Sequence, residues 1–324
     1  MARMKMLVLI FKSARPLQWL KNGVIFAPLI FSGLLFDFQN NGLPFFATVL
    51  YAFIIFCILT SSTYLVNDIL DIEADKAHPF KKKRPIASGK LSVKLAWVIA
   101  ILGFVAVAIL SSPLPLFFRL MCLAYLVLQF VYTKVLKQYP IADVMSIAVS
   151  FLIRIYAGAV VINIHMNSWF LLTVMSAALF LAVGKRQSER TLLVSHNENL
   201  GYTRSTLKRY SQGLLDQYIG MFAVATWLTY ALFTFQFQFI RTSDALTLIY
   251  PNLPFILFPE KLLMVTIPFA IFGIMRYLQL IYEGKGESPE RVLLGDKVLL
   301  AIAATIGILV VVIIYGGMIL DWII

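Results

Sequence analysis

The residues of this 324-residue chain best suited to chemistry lie in one run, Asn67-Asp68-Ile69-Leu70-Asp71-Ile72-Glu73-Ala74-Asp75, at the end of a long apolar stretch. Of only 16 acidic residues, four fall between 68 and 75. On a helix, Asp68, Asp71 and Asp75 stand at i, i+3 and i+7 and share a face, with Asn67 four residues before Asp71. Like charges at that spacing repel, so a positive partner is required. Every donor is an oxygen, and magnesium typically combines one or two carboxylates with substrate phosphates. The expectation is a magnesium ion held by Asn67, Asp68, Asp71 and Asp75 against a diphosphate. A solvated helix end with ordinary acids is the plainer alternative.

Bases follow the acids. Lys81-Lys82-Lys83-Arg84-Pro85 lies in a loop framed by His78-Pro79 and by Gly89. Arg84 can fork onto two phosphate oxygens, whereas Lys81 and its neighbours act as point charges. Topology alone explains at least one of these lysines, and His78 reads as a loop hydrogen-bonder. A second polar set comprises Tyr132, Lys137, Asp143 and Arg154, the last two eleven residues apart and so on one helical face. Further bases stand in Gly184-Lys185-Arg186 and in Arg15-Pro16-Leu17-Gln18-Trp19-Leu20-Lys21-Asn22. The substrate-binding candidates are therefore Lys21, Lys81, Arg84, Tyr132, Lys137, Arg154, Lys185 and Arg186. No Ser/His/Asp or Cys/His set suggests a covalent nucleophile, and Cys57 and Cys122 lie in apolar stretches as small hydrophobes.

The elements that must position these groups are membrane helices. The chain is 60% hydrophobic with a mean hydropathy of +0.84, too apolar for a water-soluble domain. Nine candidate spans occur at 17–38, 44–68, 93–111, 114–132, 141–162, 168–184, 215–239, 261–282 and 296–322. The expected fold is all-α, a single domain over 1–324 with nine transmembrane helices around a cytoplasm-facing cavity. The net charge of +12 falls on alternate loops, which speaks for membrane topology and against nucleic acid. By the positive-inside rule the N-terminus and the aspartate run are cytoplasmic and the C-terminus is outside, in a cell or inner membrane. The first apolar segment is interrupted by 15–22 and does not read as a cleavable signal. Charges within or at the inner ends of spans, Asp68, Asp143, Arg154 and Arg276, are expected to face a polar cavity. They gather at one end, so a transporter with charges running across the bundle ranks low.

Asn67, Asp68, Asp71 and Asp75 match the NDxxDxxxD motif, and with it the chain resembles the UbiA-type intramembrane prenyltransferase superfamily. The resemblance implies nine helices around a central cavity, magnesium and a diphosphate substrate. Arg15-Pro16, Gln18-Trp19, Lys21-Asn22, His78-Pro79 with Lys81, Arg84-Pro85, Gly184-Lys185-Arg186 and the stretch with Gly286, Pro289-Glu290 and Asp296 resemble its decaprenyl-phosphate phosphoribosyltransferase branch. In that branch a tyrosine and lysine after the fourth helix replace a second aspartate motif, and Tyr132 and Lys137 are the match here. The resemblance implies transfer of 5-phosphoribosyl from phosphoribosyl diphosphate to a polyprenyl phosphate with release of diphosphate. It also implies that the lipid bilayer is a partner, and a homo-oligomer is compatible with it. Prenyl transfer from a prenyl diphosphate to an aromatic or glycerol-phosphate acceptor is the runner-up.

Overall fold

Among the described residues of the computed structural model, eight helices are long and apolar enough to cross a bilayer, which makes this a multi-pass membrane protein. The structure describes residues 2–40, 42–77, 81–195, 209–237, 259–283 and 289–323. His78, Pro79 and Gly286 lie outside them. In chain order the helices are α1 (Ala2–Ala14), α2 (Ala27–Phe31), α3 (Phe45–Leu70), α4 (Ile72–Ala77), α5 (Val93–Ser111), α6 (Leu116–Lys134), α7 (Ala142–Val161), α8 (Ser168–Ser195), α9 (Gln212–Phe235), α10 (Pro259–Leu262), α11 (Ile267–Tyr282), α12 (Pro289–Gly295) and α13 (Lys297–Ile323). No strand of a sheet occurs among the described residues. The eight spans correspond to the expected segments from 44–68 onward, with ends moved by a few residues.

The first expected span, 17–38, takes a different form. Pro16–Phe26 is a 3-10 helix that passes into the short α2. Pro28 lacks the N–H that would bond back to Val24, so one bond of an α-helical ladder is lost where the 3-10 segment passes into α2. Instead Ala27 N–H closes a three-residue turn onto the Val24 carbonyl. At the other end Arg15 is left-handed, φ 54° and ψ 63°, which breaks the chain sharply after α1. A side chain there costs roughly 1–2 kcal/mol, so the surroundings must hold it.

Two compact units are present. The first comprises Met1–Ala27, Ala47–Asn163 and Leu193–Tyr210, and the second Pro28–Phe46, Ile164–Leu192 and Ser211–Ile324. In the first, Leu65 of α3 packs with Ile86, Leu91, Ala96 and Ala100, which seats the loop after α4 against α5. Ser92 caps α5 by accepting from Leu95 N–H at 3.3 Å. In the second, Phe31, Phe170 and Phe233 form a ring cluster with centroids 5.2 Å apart. Tyr315 of α13 donates to the Ile30 carbonyl at 2.8 Å and ties α13 to the end of α2. Arg276 pairs with Asp296 at 2.6 Å, and Asp296 also accepts from Leu299 N–H at 2.8 Å, capping α13. Arg276 thus has a structural partner. Its guanidinium and the cap hold the Asp296 carboxyl below the ordinary carboxylate range.

Candidate functional site

The aspartate run spans the junction of α3 and α4, and the helical ladder continues across it. Asp71 N–H bonds to the Asn67 carbonyl at 3.0 Å, and Asp75 N–H to the Asp71 carbonyl at 2.8 Å. The acids therefore keep helical spacing, but they divide between two adjoining stripes. Asp68 and Asp75 point to one set of partners, Asn67 and Asp71 to another.

On the first stripe, both carboxylates are buried. Arg84 Nη1 lies between them, 3.1 Å from Asp68 Oδ1 and 2.6 Å from Asp75 Oδ2. Asp68 also accepts from Arg15 Nη2. The Arg15 guanidinium stacks 4.9 Å from the centre of the Tyr64 ring, which helps retain its left-handed backbone. The loop that carries Arg84 folds back through Arg84 N–H to the Lys81 carbonyl and Leu91 N–H to the Pro85 carbonyl, both 2.9 Å. Pro85 and Ile86 are buried, anchoring the loop beside the guanidinium.

On the second stripe, Lys137 Nζ pairs with Asp71 Oδ1 at 2.8 Å, from the turn Leu136–Gln138 that follows α6. Thr133, one α-helical turn before it, donates to Asn67 Oδ1 at 2.7 Å. Sequence reasoning paired neither contact, because 66 residues separate the partners of each. Arg15 and Thr133 are the residues missing from the candidate set. Arg15 had a signal in the polar cluster at 15–22, while Thr133 had none.

The other candidates are distributed as follows. Lys21 donates to Gln18 Oε1 at 2.7 Å within the 3-10 segment. Lys81 is half-buried at the start of the turn Lys81–Lys83, and Tyr132 is half-buried on α6 beside Thr133. Arg154 is buried in the interior of the first unit, among neutral partners. Lys185 and Arg186 belong to the second unit, where Arg186 pairs with Glu189 at 2.7 Å. Asp143 accepts from the Tyr210 hydroxyl at 2.9 Å, so it and Arg154 serve different neighbours despite sharing a helix face.

The donor chemistry fits a hard cation, since every group is a carboxylate or amide oxygen and the place between Asp68 and Asp75 already attracts a cationic side chain. Among the described residues no three His, Cys, Asp or Glu side chains converge on one point. Asp71 is the group turned away, by Lys137. With bases this close, the arrangement is suited to an anion with a bridging cation, the pattern of phosphate and diphosphate sites.

Apolar spans ending in such an acid–base cluster, together with a match to a transferase family, make this a membrane-embedded transferase. The chain belongs to the UbiA prenyltransferase family, whose model matches residues 26–293. It is similar to the decaprenyl-phosphate phosphoribosyltransferase of Mycolicibacterium smegmatis, 34% identical over 305 residues that cover 92% of this chain and 91% of that protein. The decaprenyl-phosphate phosphoribosyltransferase of Corynebacterium glutamicum is 32% identical over 300 residues, 90% of this chain and 82% of that one. Among solved structures, a UbiA homolog from Archaeoglobus fulgidus bound to GPP and Mg2+ aligns with a TM-score of 0.63 at 16% identity, covering 96% of this chain and 98% of that one. That likeness shows the fold.

Proposed function

We propose that this protein transfers the 5-phosphoribosyl group of phosphoribosyl diphosphate to a polyprenyl phosphate, releasing diphosphate. In the reaction the bond from C1 of the ribose to the diphosphate oxygen breaks and the electron pair leaves with diphosphate. An oxygen of the lipid phosphate forms the new bond to C1. That oxygen is already anionic, so no general base is required, in keeping with a cluster of acids and bases that has no nucleophile.

The observation that carries this reading is Lys137 on Asp71: a lysine, not a second pair of aspartates, faces the first aspartate motif. The relatives named as phosphoribosyltransferases, matched over 91% and 82% of their length, support it. Asp68, Asp71 and Asp75 with Asn67 would hold magnesium, which supplies charge neutralisation to the departing diphosphate. Arg84 and Arg15, freed from the carboxylates, would turn their guanidiniums to diphosphate oxygens, and Lys81 would add a charge at the loop. Lys137 and Tyr132 would hold the second phosphate.

The basic loops support a cytoplasmic N-terminus and aspartate run. The eleven 3-10 residues of Pro16–Phe26 rise about 2.0 Å each and the five of α2 about 1.5 Å, roughly 30 Å in all, enough for a ninth crossing that leaves the C-terminus outside. Membranes containing the protein, given labelled phosphoribosyl diphosphate, polyprenyl phosphate and magnesium, are expected to yield a labelled lipid. Absence of that lipid would overturn the proposal.

A further inference from the structure

Arg154 lies in the middle of α7, only 3% exposed, and no carboxylate pairs with it among the described residues. A cation in an apolar span needs a strong reason to be there. Its guanidinium spends its donors on the protein. Nε donates to Asn22 Oδ1 at 2.8 Å, Nη1 to the Ser150 carbonyl and hydroxyl at 2.7 and 3.0 Å, and Nη2 to the Tyr125 hydroxyl at 3.1 Å. The Tyr125 and Phe151 rings lie 4.8 and 5.5 Å from its centre. Four of the five N–H groups are thereby directed at neutral oxygens, which leaves little with which to grip a substrate.

The partner that matters is Asn22, which is fully buried in the 3-10 segment. Asn22 Nδ2 donates onward to Thr60 Oγ1 at 3.1 Å and Cys57 Sγ at 3.5 Å on α3. One turn further along both elements there is a second contact: a Cβ placed on Gly158 would stand 2.1 Å from the Ile25 carbonyl oxygen. Asn22 and Ile25 are three residues apart, one 3-10 turn, while Arg154 and Gly158 are four apart, about one α-helical turn. The two helices are thus matched at successive turns. A third tie lies nearer Arg15, where Trp19 Nε1 donates to Ser61 Oγ at 2.9 Å and Ser61 donates to the Ala14 carbonyl at 3.0 Å.

We infer that Arg154, Asn22 and Gly158 form a register lock for the 3-10 segment: Arg154 is a positioning residue that fixes where Arg15 stands beside Asp68. The inference rests on the proposed function for what Arg15 holds, and on the structure alone for the lock. A slip by one residue would rotate the segment by about a third of a turn and take Arg15 away from Asp68.

The test uses full-length protein with Cys122→Ala, so that Cys57, beneath Asn22, is the one thiol. Asn22→Leu, Arg154→Met, their double variant and Gly158→Ala are compared for maleimide labelling of Cys57, for KM of phosphoribosyl diphosphate and for kcat per total protein, beside the folded fraction of each preparation. The lock predicts that Arg154→Met and Gly158→Ala label at least tenfold faster than the parent. Each single variant raises the donor KM about 10- to 100-fold, as a displacement near 1 Å would. The double variant is no worse than Arg154→Met, because one chain of contacts is cut in either case. A fall in kcat in proportion to lost folded protein, with KM unchanged, would reduce Arg154 to a folding role and overturn the inference. So would a neutral Asn22→Leu beside a dead Arg154→Met, which would make Arg154 a direct substrate ligand. Should the parent transfer no phosphoribosyl group, the functional reading fails by itself, and Cys57 labelling alone upholds or overturns the lock.

Discussion

Replacing Arg84 by methionine removes the guanidinium that bridges Asp68 and Asp75 while keeping most of the side-chain volume. Asp68 retains Arg15, but the Asp75 carboxylate, whose side chain is 5% exposed, loses its ion-pair partner. Removing one member of a buried pair costs about 3–5 kcal/mol, and because Arg84 is 28% exposed, partial screening reduces the expected loss to about 2–3 kcal/mol. That corresponds to a fall in Tm of roughly 4–10 °C. Thermal unfolding of the detergent-solubilised protein measures it. Adding Asp75→Asn to Arg84→Met removes the stranded charge, so most of the lost stability should return, while transfer activity stays down at least about 100-fold for want of the base and of one proposed magnesium ligand. If Arg84→Met melts with the parent, or if the double variant recovers no stability, the guanidinium does not compensate these carboxylates and the reasoning is refuted.

Asp71→Asn is expected to lower transfer at least about 100-fold and to raise the magnesium concentration needed for half-maximal rate, read from an initial-rate titration. Lys137→Met should leave stability within about 1 kcal/mol, since the pair with Asp71 is partly exposed, yet reduce kcat/KM for the phosphorylated substrates about 100-fold in steady-state assays. Asp296→Asn keeps the cap on Leu299 but loses the charge pair with Arg276. Because the Asp296 carboxyl lies below its ordinary pKa of 3.8, its stabilisation is present above that value and lost as pH falls through the native pKa. The variant should therefore melt below the parent at pH 7, and the gap should close as the pH is taken below 3.8.

How much of this was legible in the sequence differs from element to element. The spans from α3 to α13 were readable because twenty or so apolar residues leave few alternatives in a bilayer. Asp68, Asp71 and Asp75 announced themselves by helical spacing and by the scarcity of acids elsewhere. Their division into two stripes was not readable, because Lys137 and Thr133 arrive from a helix 66 residues away and turn Asp71 and Asn67 aside. The 3-10 form of Pro16–Phe26 was indicated only by Pro28, whose missing N–H matters once the Val24 carbonyl lies beneath it. Arg154 shows the same limit. Its apolar surroundings marked it as a charge with a purpose, and only the fold revealed Asn22 as the group it serves.

The central claim is that the diphosphate leaves from a sugar and not from a prenyl chain. Purified protein in liposomes, supplied with polyprenyl phosphate and equal concentrations of phosphoribosyl diphosphate and a prenyl diphosphate, tests it by mass spectrometry of the lipid products. The expected product is polyprenyl phosphate enlarged by one phosphoribosyl group, with the prenyl diphosphate recovered intact. Consumption of the prenyl diphosphate, with the phosphoribosyl diphosphate untouched, would contradict it.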